Sequence, residues 1–203
     1  MTTFYSNPDT LFTEDGELSQ VAYAREAVTT AETVIAVLEN DQISLWAERK
    51  ELPLLRPQNR ITQIDDKHNI FIACAGLPAD ARVIVDRARQ HCQSHKLNTD
   101  ESLTVEGIAR FLAQYKQSYT QQNGFRPFGV SSLVCGYDDK PHIYEIDPSG
   151  DYWEFKARAI GRFSDKLNDV LDKNYSNTDI FTKIEQYCKR FIWEKKEIVL
   201  TLD

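Results

Sequence analysis

The feature that most constrains this chain is one pair of helices set inside a run of strand hairpins. Thr33–Val37 and Ile43–Ala47 are apolar, strand-forming runs, and the polar connector Glu39-Asn40-Asp41-Gln42 between them has hairpin length. Ile61–Ile64 and Ile70–Ala75 read as a second strand pair around residues 65–69. Pro78 then follows Gly76-Leu77 at a favourable helix entry, and the spacing of Ala81, Val85, Ala88 and Cys92 predicts a helix to about Lys96. Thr104 is the expected N-cap of the next helix, which carries Ile108, Phe111, Leu112 and Tyr115 and runs to about Gln121. Gly107 stands where a capping box would place Glu. After a turn at Asn123-Gly124, short strands are expected at Val130–Tyr137, His142–Ile146 and Tyr152–Ala157.

The ends complete this plan. Residues 1–16 are polar, broken by Pro8 and Gly16, and read as an irregular arm. An amphipathic helix is expected from Leu18 to Val28, with Glu17 at its start, where negative charge suits the helix dipole. Residues 48–60, with Pro53 and Pro57, read as a loop or edge segment. Residues 164–175 and about 178–193 have helical patterns, and a last strand is expected at Glu197–Thr201. Antiparallel hairpins interrupted by helix pairs predict an α+β fold of two packed sheets with helices outside. At 203 residues, with 41% of them hydrophobic, one domain is expected.

Charge and cysteines narrow the partners. Lys plus Arg number 24 and Asp plus Glu 31, so the net charge is −7, which argues against nucleic acid as the main partner. The opening MTTFYSNPDT has no basic or apolar leader region, so no signal peptide is expected. No apolar stretch reaches the roughly 18 residues of a membrane span. Cys74, Cys92, Cys135 and Cys188 form no CxxC pair. Cys74 and Cys135 lie in apolar, strand-like runs, where buried free thiols are expected, and a reducing, intracellular compartment follows, with no metal or cofactor expected.

Four ordered blocks carry a family resemblance. Residues 12–28, FTEDGELSQVAYAREAV, resemble the N-terminal helix signature of proteasome alpha subunits. AGLPADARVIVDRARQHCQSHKL at 75–97, NGFRPFGVSSLVCGYD at 123–138 and IDPSGDYWEFKARAIGR at 146–162 resemble further blocks of that family in the same order. The wording of the second and third is similar to the alpha subunit at the fourth ring position. The resemblance implies a four-layer αββα sandwich of the N-terminal-nucleophile hydrolase type. It divides residues 1–203 into a pore arm (1–16), an N-terminal helix (17–30) and the sandwich (31–203).

Active members of the wider family use a threonine whose own amino group is free and serves as the base. The resemblance places Glu32 at about the nucleophile position, with Thr33 beside it inside a continuous chain. Glu48 aligns with the supporting acid, expected here as an exposed or salt-bridged residue at a strand end. Arg60 aligns with the lysine region, and an arginine stays protonated near neutral pH. No catalytic residue is therefore expected. The rival is an amidase or peptidase acting through Thr2 after methionine removal, but Thr2 lies about thirty residues upstream of the strand. No GxSxG surrounds Ser131 or Ser132, and Ser149 reads as a turn hydroxyl. His91 and His95 have metal-compatible spacing but no carboxylate that completes a site.

The resemblance also assigns gate and docking positions. Tyr5, Ser6, Glu14 and Tyr23 match the cluster that holds the open gate, although Ser6 and Glu14 replace the usual Asp and Pro. Gly16, Ala22, Arg60, Gly76 and Leu77 match the pocket that takes activator C-terminal tails, and Arg60 stands in for a lysine that pairs with the tail carboxylate. The alternative for Arg60 is a plain surface charge. The implied partners are neighbouring alpha subunits in a seven-membered ring, the beta-ring subunits, and regulatory-particle ATPases or other activators. Ubiquitin-dependent degradation in cytoplasm and nucleus, with no nucleic acid or membrane, is the implied setting.

Overall fold

The computed structural model describes residues 12–14, 16–49, 54, 59–67, 69–122, 125–175, 184 and 192–198. The expected turn at Asn123-Gly124 and most of the 1–16 arm lie outside them. The first described helix, α1, spans Ser19–Thr29. Strands β1 (Val34–Glu39) and β2 (Gln42–Arg49) follow, then β3 (Ile61–Asp65) and β4 (Ile70–Gly76). Helices α2 (Pro78–Thr99) and α3 (Val105–Gln121) come next. After them lie β5 (Val130–Tyr137), β6 (Pro141–Ile146), β7 (Tyr152–Glu154), β8 (Ala157–Ile160), α4 (Ser164–Asn174) and β9 (Ile192–Ile198).

The strands form two antiparallel sheets, ordered β8-β1-β2-β9 and β3-β4-β5-β6-β7. Side chains alternate between faces along a strand, and here both faces of the central strands are covered. Val34 and Ala36 of β1 face Phe71, Ala73, Leu133 and Cys135 between the sheets. Ile35 and Val37 point the other way, against Leu167 and Leu171 of α4. Ile70, Ile72 and Val134 face Ile84 and Ala88 of α2 and Ile108 and Leu112 of α3. The four-layer αββα arrangement follows, as expected.

Local chemistry sets the joints. Asn40 and Asp41 take φ of +50° and +60°, the left-handed pair that a two-residue hairpin turn requires. Thr104 accepts the Gly107 N–H at 3.1 Å, so α3 is capped as expected, without a capping box. Arg25 on α1 pairs with Asp147 at 2.8 Å and fastens that helix to the β6–β7 turn.

Two expectations are corrected. Tyr152–Ala157 is not one strand: β7 pairs with β6 in one sheet, while β8 pairs with β1 in the other. The chain changes sheet at Phe155 and Lys156, where Phe155 N–H donates to Ile143 and Lys156 accepts from Leu38 N–H. No glycine or proline marks the crossing, so the residue pattern runs through it unbroken. The last strand begins at Ile192 rather than Glu197, and pairs along β2 from Ile43↔Ile198 to Arg49↔Ile192. It therefore takes over the end of the helix expected to 193. β9 is an edge strand, and its exposed Lys195, Lys196 and Glu197 hide the strand signal behind helix-like charge spacing.

Candidate functional site

The start of β1 is where an N-terminal nucleophile would act, and it is filled. Thr33 is fully buried, and its backbone N–H donates to Glu48 Oε2 at 3.0 Å. The Glu48 N–H returns to the Thr33 carbonyl at 2.9 Å. Glu48 is 2% exposed, and its other oxygen pairs with Arg162. It is therefore salt-bridged but not exposed. An amide nitrogen shares its lone pair with the carbonyl, so it cannot take a proton from the hydroxyl. Thr33 Oγ1 has no hydrogen-bond partner among the described residues. Among the described residues this threonine has no base within hydrogen-bond reach of its hydroxyl.

Backbone closes over the same place. Arg162 N–H donates to the Ala31 carbonyl at 2.9 Å. Gly161 has φ of +101°, and a Cβ there would stand 2.8 Å from both Glu32 O and Thr33 Cα. Only glycine lets the chain pass this closely. A cleft of about 380 Å³ opens nearby between α1, β8 and α4, lined by Val28, Ser131, Gly161 and Asn168 but not by Thr33.

Arg60 is not a plain surface charge. Nη1 lies 3.1 Å from Glu32 Oε2, Nη2 donates to the Cys74 carbonyl at 3.0 Å, and the backbone N–H donates to Glu194 at 2.8 Å. Cys74 is two residues from Gly76, so Arg60 is bonded near the end of β4 that leads to Gly76 and Leu77. Gly76 has φ of +133°, and a Cβ there would meet Gly129 O at 2.1 Å. The Leu77 N–H donates to that carbonyl at 2.9 Å, and its side chain packs on Gly129 while remaining 43% exposed. Asp80 anchors this ledge by accepting from Gly129 N–H at 3.0 Å and from Arg126 at 2.7 and 2.8 Å. Burial alone would raise the Asp80 pKa, but the Arg126 and Gly129 hydrogen bonds outweigh it and hold the carboxyl below its usual value.

The remaining assigned positions are more scattered. Gly16 takes φ of +80° in a turn where its N–H donates to Thr13 O at 2.9 Å, and Glu14 is exposed in the same turn. Ala22 and Tyr23 lie on the exposed side of α1, opposite buried Val21, Ala24 and Val28. Tyr5, Ser6 and Thr2 lie outside the described residues. His91 stacks on Phe111 with ring centroids 3.7 Å apart, while His95 Nδ1 lies 3.0 Å from the Glu101 carbonyl. Ser149 Oγ sits 2.7 Å from Asp147 within its turn.

Sequence reasoning missed Lys116. It is fully buried, and Nζ donates to the carbonyls of Val130 and Ile146, both at 2.9 Å, and lies 3.2 Å from Ser132 Oγ. Its three donors are all used. Burial lowers its pKa to about 8, against partial compensation from Cys74, Asp147 and Glu145. The signal was present: Lys116 follows Leu112 by four residues, on the apolar face of α3.

Comparison with known proteins agrees with this geometry. A family described as "Proteasome subunit" matches residues 28–192. Proteasome subunit alpha type-7-B of Oryza sativa subsp. indica is 45% identical over 179 residues, covering 86% of this chain and 72% of the relative. Proteasome subunit alpha type-8 of Mus musculus is 44% identical over 185 residues, covering 89% and 73%. Proteasome subunit alpha type-7 of Solanum lycopersicum is 44% identical over 180 residues, covering 86% and 69%.

Proposed function

This chain belongs to the proteasome subunit family as an alpha-type member, and from that premise we propose its place within the assembly. It is a non-catalytic, structural subunit of the core particle's outer ring and contributes to protein degradation through the assembly it helps to build. The observation that carries this is the Thr33 amide committed to Glu48 beneath Gly161 and Arg162.

The ring is seven-membered, and this chain takes the fourth position between the third and fifth alpha subunits, above the beta ring. Its arm contributes to the gate, and the ledge at Arg60, Gly76 and Leu77 forms part of a pocket for activator C-terminal tails. It serves ubiquitin-dependent degradation in cytoplasm and nucleus. Support comes from the exposed apolar residues on α1 and α2. Tyr23 is 66% exposed and Leu97 84% exposed, and apolar side chains so placed suit burial against a neighbour.

Native mass spectrometry of the complex that co-purifies with this chain tests the reading. A particle containing six other alpha chains and a beta ring is expected. A stable monomer in the presence of co-expressed alpha partners contradicts it.

A further inference from the structure

Arg60 is the cation assigned to an incoming tail carboxylate, and in this chain it already holds one. Glu32 lies 3.1 Å from Nη1. Both partners are fixed in place. Arg60 is tied through Nη2 to Cys74 O and through its backbone to Glu194. Glu32 sits between Ala31, whose carbonyl accepts from Arg162, and Thr33, whose N–H is held by Glu48. The Arg60 and Glu32 side chains keep 20% and 23% of their exposure, so the pair is enclosed without being sealed.

A second carboxylate reaching Arg60 would come close to Glu32 in surroundings largely withdrawn from water. Like-charge repulsion there is poorly screened, and Nη1 and Nη2 of the guanidinium each already donate to a partner. The apolar contact that Leu77 offers a partner is untouched by this.

We propose that Glu32 is the specificity-determining residue of this pocket, an intrachain carboxylate that satisfies Arg60 and takes away the pocket's preference for the free carboxylate of a partner tail. This rests on the reading that the tail pocket lies at Arg60, Gly76 and Leu77. Glu32 thereby neutralises the Arg60 charge, which leaves little to discriminate a free-acid tail from an amidated one.

The test uses the purified complex carrying this chain and a photo-crosslinking peptide with an activator-tail sequence, in free-acid and C-terminally amidated forms. Labelling of this chain is read by mass spectrometry at subsaturating peptide. The E32Q complex is expected to raise free-acid labelling of this chain at least about tenfold, the scale of one charge-assisted contact, with amidated labelling unchanged. E32S should do the same, and the E32Q/R60M double variant should lose the gain. Equal, carboxylate-dependent labelling in wild type and E32Q overturns the role of Glu32 while leaving tail docking intact. Labelling of other alpha chains but never of this one, in any variant, overturns docking at this pocket and the inference with it.

Discussion

Glu48 accepts the backbone N–H of Thr33 at 3.0 Å while its second oxygen pairs with Arg162, so one buried carboxylate joins the start of β1 to the segment that covers it. A carboxylate so placed stabilises the closed site. Glu48→Ala removes the acceptor of the Thr33 amide and one of the contacts of Arg162. Since Arg162 is 39% exposed, the ion pair is discounted for solvent screening, and a loss of about 2 kcal/mol is expected. Urea unfolding of wild type and variant checks this. An unchanged midpoint would show that the carboxylate is dispensable.

Lys116 gives a pH dependence of definite sign. Its folded pKa, about 8, lies below the usual 10.5, so between those values the unfolded chain binds the extra proton. Stability therefore rises with pH across that window relative to a chain lacking the group, by at most about 3 kcal/mol. Lys116→Met should remove this component. Comparing the pH dependence of unfolding in the two proteins from pH 8 to 10.5 isolates it from the tyrosines and cysteines that titrate nearby.

The Gly76 ledge predicts a severe single substitution. Gly76→Ala meets Gly129 O at 2.1 Å and Val130 Cα at 2.7 Å on a left-handed backbone, and both contacts are with main chain that cannot swing away. A loss of about 3 kcal/mol or more is expected, or failure to accumulate folded protein. Soluble yield and thermal unfolding measure it.

Asp80 predicts a dependence of the same sign at the acid end of the profile. Its folded pKa is depressed, so the stability it contributes is present above the ordinary carboxylate value and is lost as pH falls through the folded one. Asp80→Asn should flatten the acid limb of the stability profile, measured by unfolding between pH 6 and 3.

How legible the fold was depended on whether a local signal accompanied each change of direction. The β1–β2 hairpin was readable because Asn40 and Asp41 tolerate left-handed backbone, and α3 because Thr104 is a competent cap. The β7–β8 crossing was not readable, since it is set by two long-range hydrogen bonds, Phe155 to Ile143 and Leu38 to Lys156, with no breaker residue. β9 was misplaced because an edge strand keeps charged residues on its open face. At the site, the blocked amine of Thr33 follows from chain continuity alone. The pairing of Arg60 with Glu32 does not, because those residues are 28 apart in sequence and only the return of the chain beside β1 and β4 brings them together.

The most direct test of the central claim treats the purified complex with an electrophile selective for N-terminal threonine and follows this chain by intact mass and peptide mapping. The account predicts an unmodified chain with an unbroken backbone through Ala31, Glu32 and Thr33. An adduct on Thr33, or a chain whose terminus opens at that residue, would contradict it.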